Sequence, residues 1–315
     1  MRIALEEHFV IDDPAHVERW RGQVPFIPEG KLAKIKQTLS NLGEQRIAAM
    51  AEAGVDFAVL SNVGTVQGHL DARTAMKLAR EANDHLAKAV QDSPNRFAGF
   101  ATVPLQDPGA GAAEFERAVR ELGMKGALII GQTDGAYLDD DRFTPIWEVA
   151  QALDVPIYLH AADASVQPAT YAGRTELTGA TWSWTAETAA HTLRIIFGGV
   201  FTRFPKARLL LGHMGETLPY LLWRLDKRSQ AFADGDAMKP STIFRSNIAI
   251  TTAGTFSDEP LLCALTVLGE NSVMFSVDHP FEDMKEAVSW LDAAPIDNAV
   301  REKISSGNAQ RILKL

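Results

Sequence analysis

Residues 97–160 read FAGFATVPLQDPGAGAAEFERAVRELGMKGALIIGQTDGAYLDDDRFTPIWEVAQALDVPIYLH. Three apolar runs, Phe97–Val103, Gly126–Ile130 and Pro156–His160, alternate there with helical patterns at Ala112–Leu122 and Thr144–Leu153. The run ALII has no polar face, as a parallel strand covered on both sides requires. Asp107-Pro108 reads as a helix start and Gly123 as a stop. Strand–helix alternation of this kind predicts a parallel sheet. The pattern continues both ways from this segment. Further strand candidates are Arg2–Phe9, Phe57–Val63, Ala207–His213, Asn247–Thr252 and Val273–Asp278. Further helical patterns are Arg73–Val90, Ala186–Val200, Leu218–Phe232 and Glu259–Leu268. Eight strands in 315 residues suit a (β/α)8 TIM barrel of the α/β class. A doubly wound sheet is the alternative. With no low-complexity linker in view, residues 1–315 are expected to form a single barrel domain.

Composition narrows the functional classes. The chain carries 31 Lys+Arg against 40 Asp+Glu, a net charge of −9, with 46% hydrophobic residues. That excludes disordered and collagen-like classes. A single cysteine, Cys263, can neither close an intrachain disulfide nor supply a thiolate cluster for zinc. The acidic balance argues against nucleic acid as a partner. Glu6, Glu7 and His8 interrupt any signal-like apolar stretch, and no window approaches a membrane span. The reading is a cytoplasmic protein with no membrane association.

Three connections are long: Val10–Leu42 after strand 1, Ala161–Trp184 after strand 5, and Ala233–Ser246 before strand 7. Loops of that length are usually functional. The first two leave the C-terminal ends of their strands, where barrel active sites form. The third enters from the opposite end, which fits stability or subunit contact.

Position sorts the eight histidines. His8, His160 and His213 each close a strand, and Asp278 closes strand 8 with His279 beside it. Glu6 lies two residues before His8, so both project from one face of strand 1. If that face is the barrel interior, Glu6, His8, His160 and Asp278 meet at one mouth. Two carboxylates and two imidazoles suit a borderline divalent ion such as Zn or Mn. Polar groups ending apolar strands are costly to bury without a partner, which favours shared use over chance. A lone Glu-x-His, by contrast, is an ordinary surface pair. His16, His69, His85 and His191 fall in loop or helix patterns and are expected to be structural or exposed.

His213 belongs to LLLGHMGETLPYLLWRLDKR. Glu216 is either a helix-start residue favoured by the dipole or an orienting partner for the imidazole. Arg224 either faces an anionic substrate or pairs with Asp226 or Asp278. Phe26, Trp182, Trp184 and Phe281 are possible pocket walls for a planar ring, and each alone reads equally as core.

Taken in order, ALEEHF, FAGFATVPLQDP, DVPIYLH, TWSWTAETAAHTLR, LLLGHMGETLPYLLWRLDKR, ITTAG, FSVDHPFE and NAQRILKL span the whole chain. This series resembles the metal-dependent aromatic decarboxylases of the amidohydrolase superfamily, in the γ-resorcylate (2,6-dihydroxybenzoate) and 2,3-dihydroxybenzoate group. The resemblance implies a distorted (β/α)8 barrel with long insertions after strands 1 and 5, holding one Zn or Mn. It implies Glu6, His8, His160 and Asp278 as metal ligands, His213 and Glu216 as a catalytic pair, and Arg224 close to the substrate. It also implies a homodimer or homotetramer, with Arg46 approaching a neighbour's site. Two positions depart from the pattern. Ala161 follows His160 where relatives usually carry Pro, and His279 follows Asp278 where they carry Trp or Tyr.

The implied reaction is reversible, non-oxidative loss of CO2 from a hydroxybenzoate, with Asp278 as proton donor. Two anionic ligands roughly cancel the charge of a divalent ion. That favours substrate chelation over water activation. The rival is a metal-dependent hydrolase of a lactone, amide or ester on the same barrel, with Asp278 as base. A barrel kept only for binding or assembly comes third.

Overall fold

The structure is a computed structural model that describes all residues of the chain except 26, 69 and 233–237. Phe26, a candidate pocket wall, and His69 therefore lie outside the described residues, as does part of the connection before strand 7.

Among the described residues, nine parallel strand segments carry the fold: β1 Ile3–Phe9, β2 Phe57–Asn62, β3 Phe97–Gly99, β4 Ala101–Thr102, β5 Ala127–Ile130, β6 Ile157–His160, β7 Leu209–Leu211, β8 Ile248–Thr251 and β9 Val273–Met274. They pair in chain order as β1-β2-β3 and as β4 through β9. β3 and β4 are one expected strand divided at Phe100. The Phe100 amide still donates to Leu60 O at 2.9 Å, whereas the Ala101 amide donates to Gly126 O at 2.8 Å. The strand changes partner there, which joins the two sheets.

The other seam lies between β9 and β1. The expected strand Val273–Asp278 keeps regular pairing only over its first two residues. Side chains replace the backbone ladder beyond them. The Ser276 amide donates to Thr252 Oγ1 at 2.9 Å, and the Val277 amide to Glu7 Oε1 at 2.9 Å. Backbone contact resumes where Asp278 N donates to Glu6 O at 3.1 Å and His8 N to His279 O at 2.8 Å. A parallel bridge, Glu7 to His279, marks the same place. These bonds bring the last strand back to the first, as a barrel requires.

Inside the ring, Ile3, Leu5, Phe100, Leu128, Tyr158 and Leu210 pack together. A larger core lies between the strands and the outer helices. The register of β1 against β2 shifts between Ala4 and Glu7. Such an irregularity re-aims side chains. Leu5 joins the interior core, and Glu6 and His8 also turn inward above it, while Glu7 faces outward to Arg46.

The connection after β1 is not a bare loop. It holds helices Pro14–Gln23 and Glu29–Leu39. Asp13 caps the first through the Ala15 amide, and Pro14 suits its opening position. The connection after β6 contains three short 3-10 turns between Ala169 and Thr181. Helix Pro240–Asn247 leads into β8. Among the described residues, no helix is long and apolar enough to cross a membrane.

Candidate functional site

Five polar side chains converge where β1, β6, β7 and β9 end. One ligand atom from each of Glu6, His8, His160 and Asp278 lies within 4.8 Å of the others. Tyr158 and His160, two residues apart on β6, both reach this cluster. His8 Nε2 is 3.0 Å from Asp278 Oδ1 and 3.3 Å from His160 Nε2. His160 Nε2 is 3.4 Å from Glu6 Oε1.

The donor set fits a divalent cation. His160 Nδ1 lies 2.8 Å from Ala161 O, so it carries the proton and leaves Nε2 with a free lone pair. His8 Nδ1 rests against Ser61 Oγ at 3.0 Å, which turns its Nε2 inward. Burial pushes the His160 imidazole down to about 3, keeping it neutral as ligation demands. Glu6 Oε1 and Asp278 Oδ1 are buried with no hydrogen-bond partner among the described residues. Buried carboxylate oxygens left without donors are costly, and a cation facing both removes that cost.

His213 stands beside this group, its Nε2 3.8 Å from Asp278 Oδ2 and 4.0 Å from Glu6 Oε1. After β7 the chain enters a left-handed turn, with φ of 47° at His213, 55° at Met214, 76° at Gly215, 54° at Glu216 and 65° at Thr217. The left-handed region costs each non-glycine residue about 1–2 kcal/mol. Such strain persists where the surroundings enforce it, commonly at functional sites. Here it folds Glu216 back, so that Glu216 Oε1 meets His213 Nδ1 at 2.7 Å. The following helix begins only at Leu218, so Glu216 serves the imidazole and not the helix start.

Burial opposes charge on His213, but Glu216, Glu6 and Asp278 outweigh it and hold the imidazole well above its ordinary range. Burial likewise works against charge on Asp278. The His213 and His8 imidazoles overcome it and hold the carboxyl below the usual range. Both shifts favour the imidazolium on His213 and the carboxylate on Asp278.

A cavity of about 390 Å³ opens above these groups. His160, His213 and Asp278 form its polar floor, and Trp20, Val24, Ile27, Val63, Trp184 and Phe281 its apolar wall. Half of that wall, Trp20, Val24 and Ile27, comes from the segment inserted after β1, which the sequence marks only as a long functional connection. Phe281 lies 5.8 Å from His8, ring centre to ring centre. Ala161 lines the cavity, whereas His279 lines a separate depression with Lys34 and Glu52.

Three expected substrate contacts fall elsewhere. Arg46 is only 3% exposed and donates from Nη1 to His8 O at 2.7 Å, so it braces β1 from behind and does not reach outward. Its charge faces Glu7, whose carboxyl burial pushes up to about 7. Arg224 is exposed and does not line the cavity; Asp226 instead accepts from Ser241. Trp182, 46% exposed, precedes helix Ser183–Phe197, and its neighbour Trp184 forms the wall. His16 and His191 are buried structural residues, bonded to Glu81 and to the Leu138 amide. His85 is exposed and stacks on Phe9.

A barrel whose mouth gathers two carboxylates and two imidazoles defines a metal-site enzyme scaffold, and residues 14–315 match the amidohydrolase family model. The chain belongs to that family. It is 39% identical to the gamma-resorcylate decarboxylase of Rhodococcus jostii, over 100% of this chain and 98% of that protein. Among solved structures, a 2,6-dihydroxybenzoate decarboxylase complexed with 2,6-dihydroxybenzoate superposes with a TM-score of 0.93. The two are 37% identical, over 100% and 99% of the chains. The dihydroxybenzoic acid decarboxylase of Polaromonas sp. JS666, with bound manganese and the inhibitor 2-nitroresorcinol, gives 0.91 at 38% identity, over 100% and 97%.

Proposed function

We propose that this chain is a carboxy-lyase that removes CO2 non-oxidatively and reversibly from a hydroxybenzoate of the γ-resorcylate kind, with residues 1–315 as one barrel domain. The observation that carries the reading is the buried, donor-starved group Glu6, His8, His160 and Asp278 beneath a cavity of about 390 Å³ walled by aromatic and aliphatic side chains. Full-length similarity to decarboxylases of dihydroxybenzoates supports it. These four residues are the ligands for one Zn or Mn. Bound there, the ion supplies a Lewis-acidic anchor for the oxygens of the substrate.

The chain's own residues do the rest. Phe281 and Trp184 flank the ring. Trp182 is assigned to the rim. Glu216 fixes the His213 imidazole through Nδ1, His213 stores a proton on Nε2, and Asp278 takes up that proton and delivers it to the ring carbon bearing the carboxylate. The bond from that carbon to the carboxylate then breaks. Its electron pair restores the aromatic ring as CO2 leaves, so one proton is consumed for each CO2 released. Arg224 shares an exposed face with Tyr220 and Trp223, which are 82% and 73% exposed. A face of that character is expected to be covered. We therefore assign a homodimer or homotetramer, with Arg224 meeting the anionic substrate across the subunit boundary, and a cytoplasmic location.

Purified protein supplied with Mn should release CO2 from 2,6- or 2,3-dihydroxybenzoate, and Asp278→Asn should abolish release while circular dichroism stays unchanged. Near-normal turnover by that variant would exclude Asp278 as donor. Failure of the wild type on a broad hydroxybenzoate panel would exclude the activity.

A further inference from the structure

Beneath the four candidate ligands runs a hydrogen-bonded row that no ligand role explains. Tyr158 is fully buried and packs against Phe100 at 5.7 Å, ring centre to ring centre. Its hydroxyl contacts Glu6 Oε2 on one side and Thr251 Oγ1, at 2.8 Å, on the other. Thr251 Oγ1 also accepts from the Ala253 amide at 3.4 Å. Both ends fix the direction of this row. An amide N–H can only donate, and the Tyr158 hydroxyl donates to Glu6 Oε2. Ala253 therefore donates to Thr251, Thr251 to Tyr158, and Tyr158 to Glu6. Bonds aligned in one direction polarise and reinforce one another.

The row divides the two oxygens of Glu6. Oε2 is engaged by Tyr158 and hemmed in by Gly212, where an added Cβ would lie 2.5 Å from it. Oε1 has no hydrogen-bond partner and faces His160. We propose that Tyr158 is a positioning residue that makes Glu6 present a single oxygen, Oε1, to a divalent cation. A carboxylate tethered in this way cannot swing to offer both oxygens, so positions around the cation stay open for a chelating substrate. The inference rests on the metal reading above and adds the device that sets how Glu6 binds.

The test is Mn2+ titration of the full chain after chelator treatment, by calorimetry, with thermal melting as the fold control. Tyr158→Phe keeps the ring and its packing on Phe100 but removes the donor. It should weaken Mn2+ binding about 10–100-fold, the usual cost of losing an outer-shell partner. Thr251→Val leaves the ring intact and should weaken binding in the same direction, by less. In a Glu6→Gln background, Tyr158→Phe should change the dissociation constant less than about threefold, because partners in one network are not additive. Wild-type affinity in Tyr158→Phe overturns the proposal, as does an equal loss with or without Glu6. If Tyr158→Phe fails to fold, unchanged binding by Thr251→Val overturns it. A wild type that binds no Mn2+ is a different result, which removes the metal reading and this inference with it.

Discussion

Gly212 offers a sharp perturbation because the backbone has no need of it. Its φ of −73° and ψ of −172° are extended values that alanine adopts freely. What alanine lacks is room. Its Cβ would lie 2.5 Å from Glu6 Oε2, 3.1 Å from Oε1 and 3.2 Å from the carboxyl carbon. Real Cβ atoms essentially never approach closer than 3.0 Å, so the carboxylate must move by about half an ångström or more. Tyr158 blocks retreat on one side and the buried cluster on the other. Displacements of that size are about the tolerance of a working site. Gly212→Ala should therefore weaken Mn2+ binding about 10–100-fold, or about 1.4–2.8 kcal/mol. The turnover lost should be partly recovered by excess metal, since the substrate cavity is untouched. Calorimetric titration of chelator-treated protein measures the first effect, and CO2 release against metal concentration the second. Mn2+ affinity within threefold of wild type, with an unchanged melting temperature, would refute the claim that this glycine exists to admit Glu6.

Two further predictions probe what surrounds the site. Burial pushes His191 down to about 3, and its Nε2 accepts the Leu138 amide, so the folded protein holds it neutral while the unfolded chain protonates near 6.5. Stability from this group is thus full above pH 6.5 and lost as pH falls toward 3. About 2 kcal/mol is gone by pH 5. The destabilisation caused by His191→Gln in urea melts should shrink by that amount between pH 7.5 and 5; a pH-independent penalty would contradict the assignment. Arg46→Met removes the charge facing buried Glu7 and the donor to His8 O, and should cost about 3–5 kcal/mol by urea denaturation. A double variant with Glu7→Gln should cost less than the two singles added.

The difference between what the sequence announces and what it conceals follows one physical divide. Ligand chemistry is written in residue types at strand ends, so Glu6, His8, His160 and Asp278 are legible from spacing, apolar runs and the single cysteine. Backbone irregularity is not. Strict alternation puts Leu5 and Glu6 on opposite faces of β1, yet the register shift between Ala4 and Glu7 turns both inward. The sequence around His213 leaves a helix start and a His–Glu pair both open, because no local signal asks four non-glycine residues to adopt positive φ. The packing around Met214 and Gly215 and the bond between Glu216 and His213 enforce it from outside the segment. Resemblance alone sends Arg46 toward a neighbour's site, and only the fold shows its Nη1 donating to His8 O, 38 residues away in sequence. Tyr158 reads as one more apolar strand residue in PIYLH, and its hydroxyl acquires meaning only beside Glu6, 152 residues distant. Arg224 differs in kind: its chemistry is legible, but its exposed position away from the cavity is not. Tyr158, Arg46 and Glu216 each touch Glu6, His8 or His213 from behind, where long-range contacts and not residue type decide the role. A substitution there should move metal affinity or stability while leaving the ligand list intact.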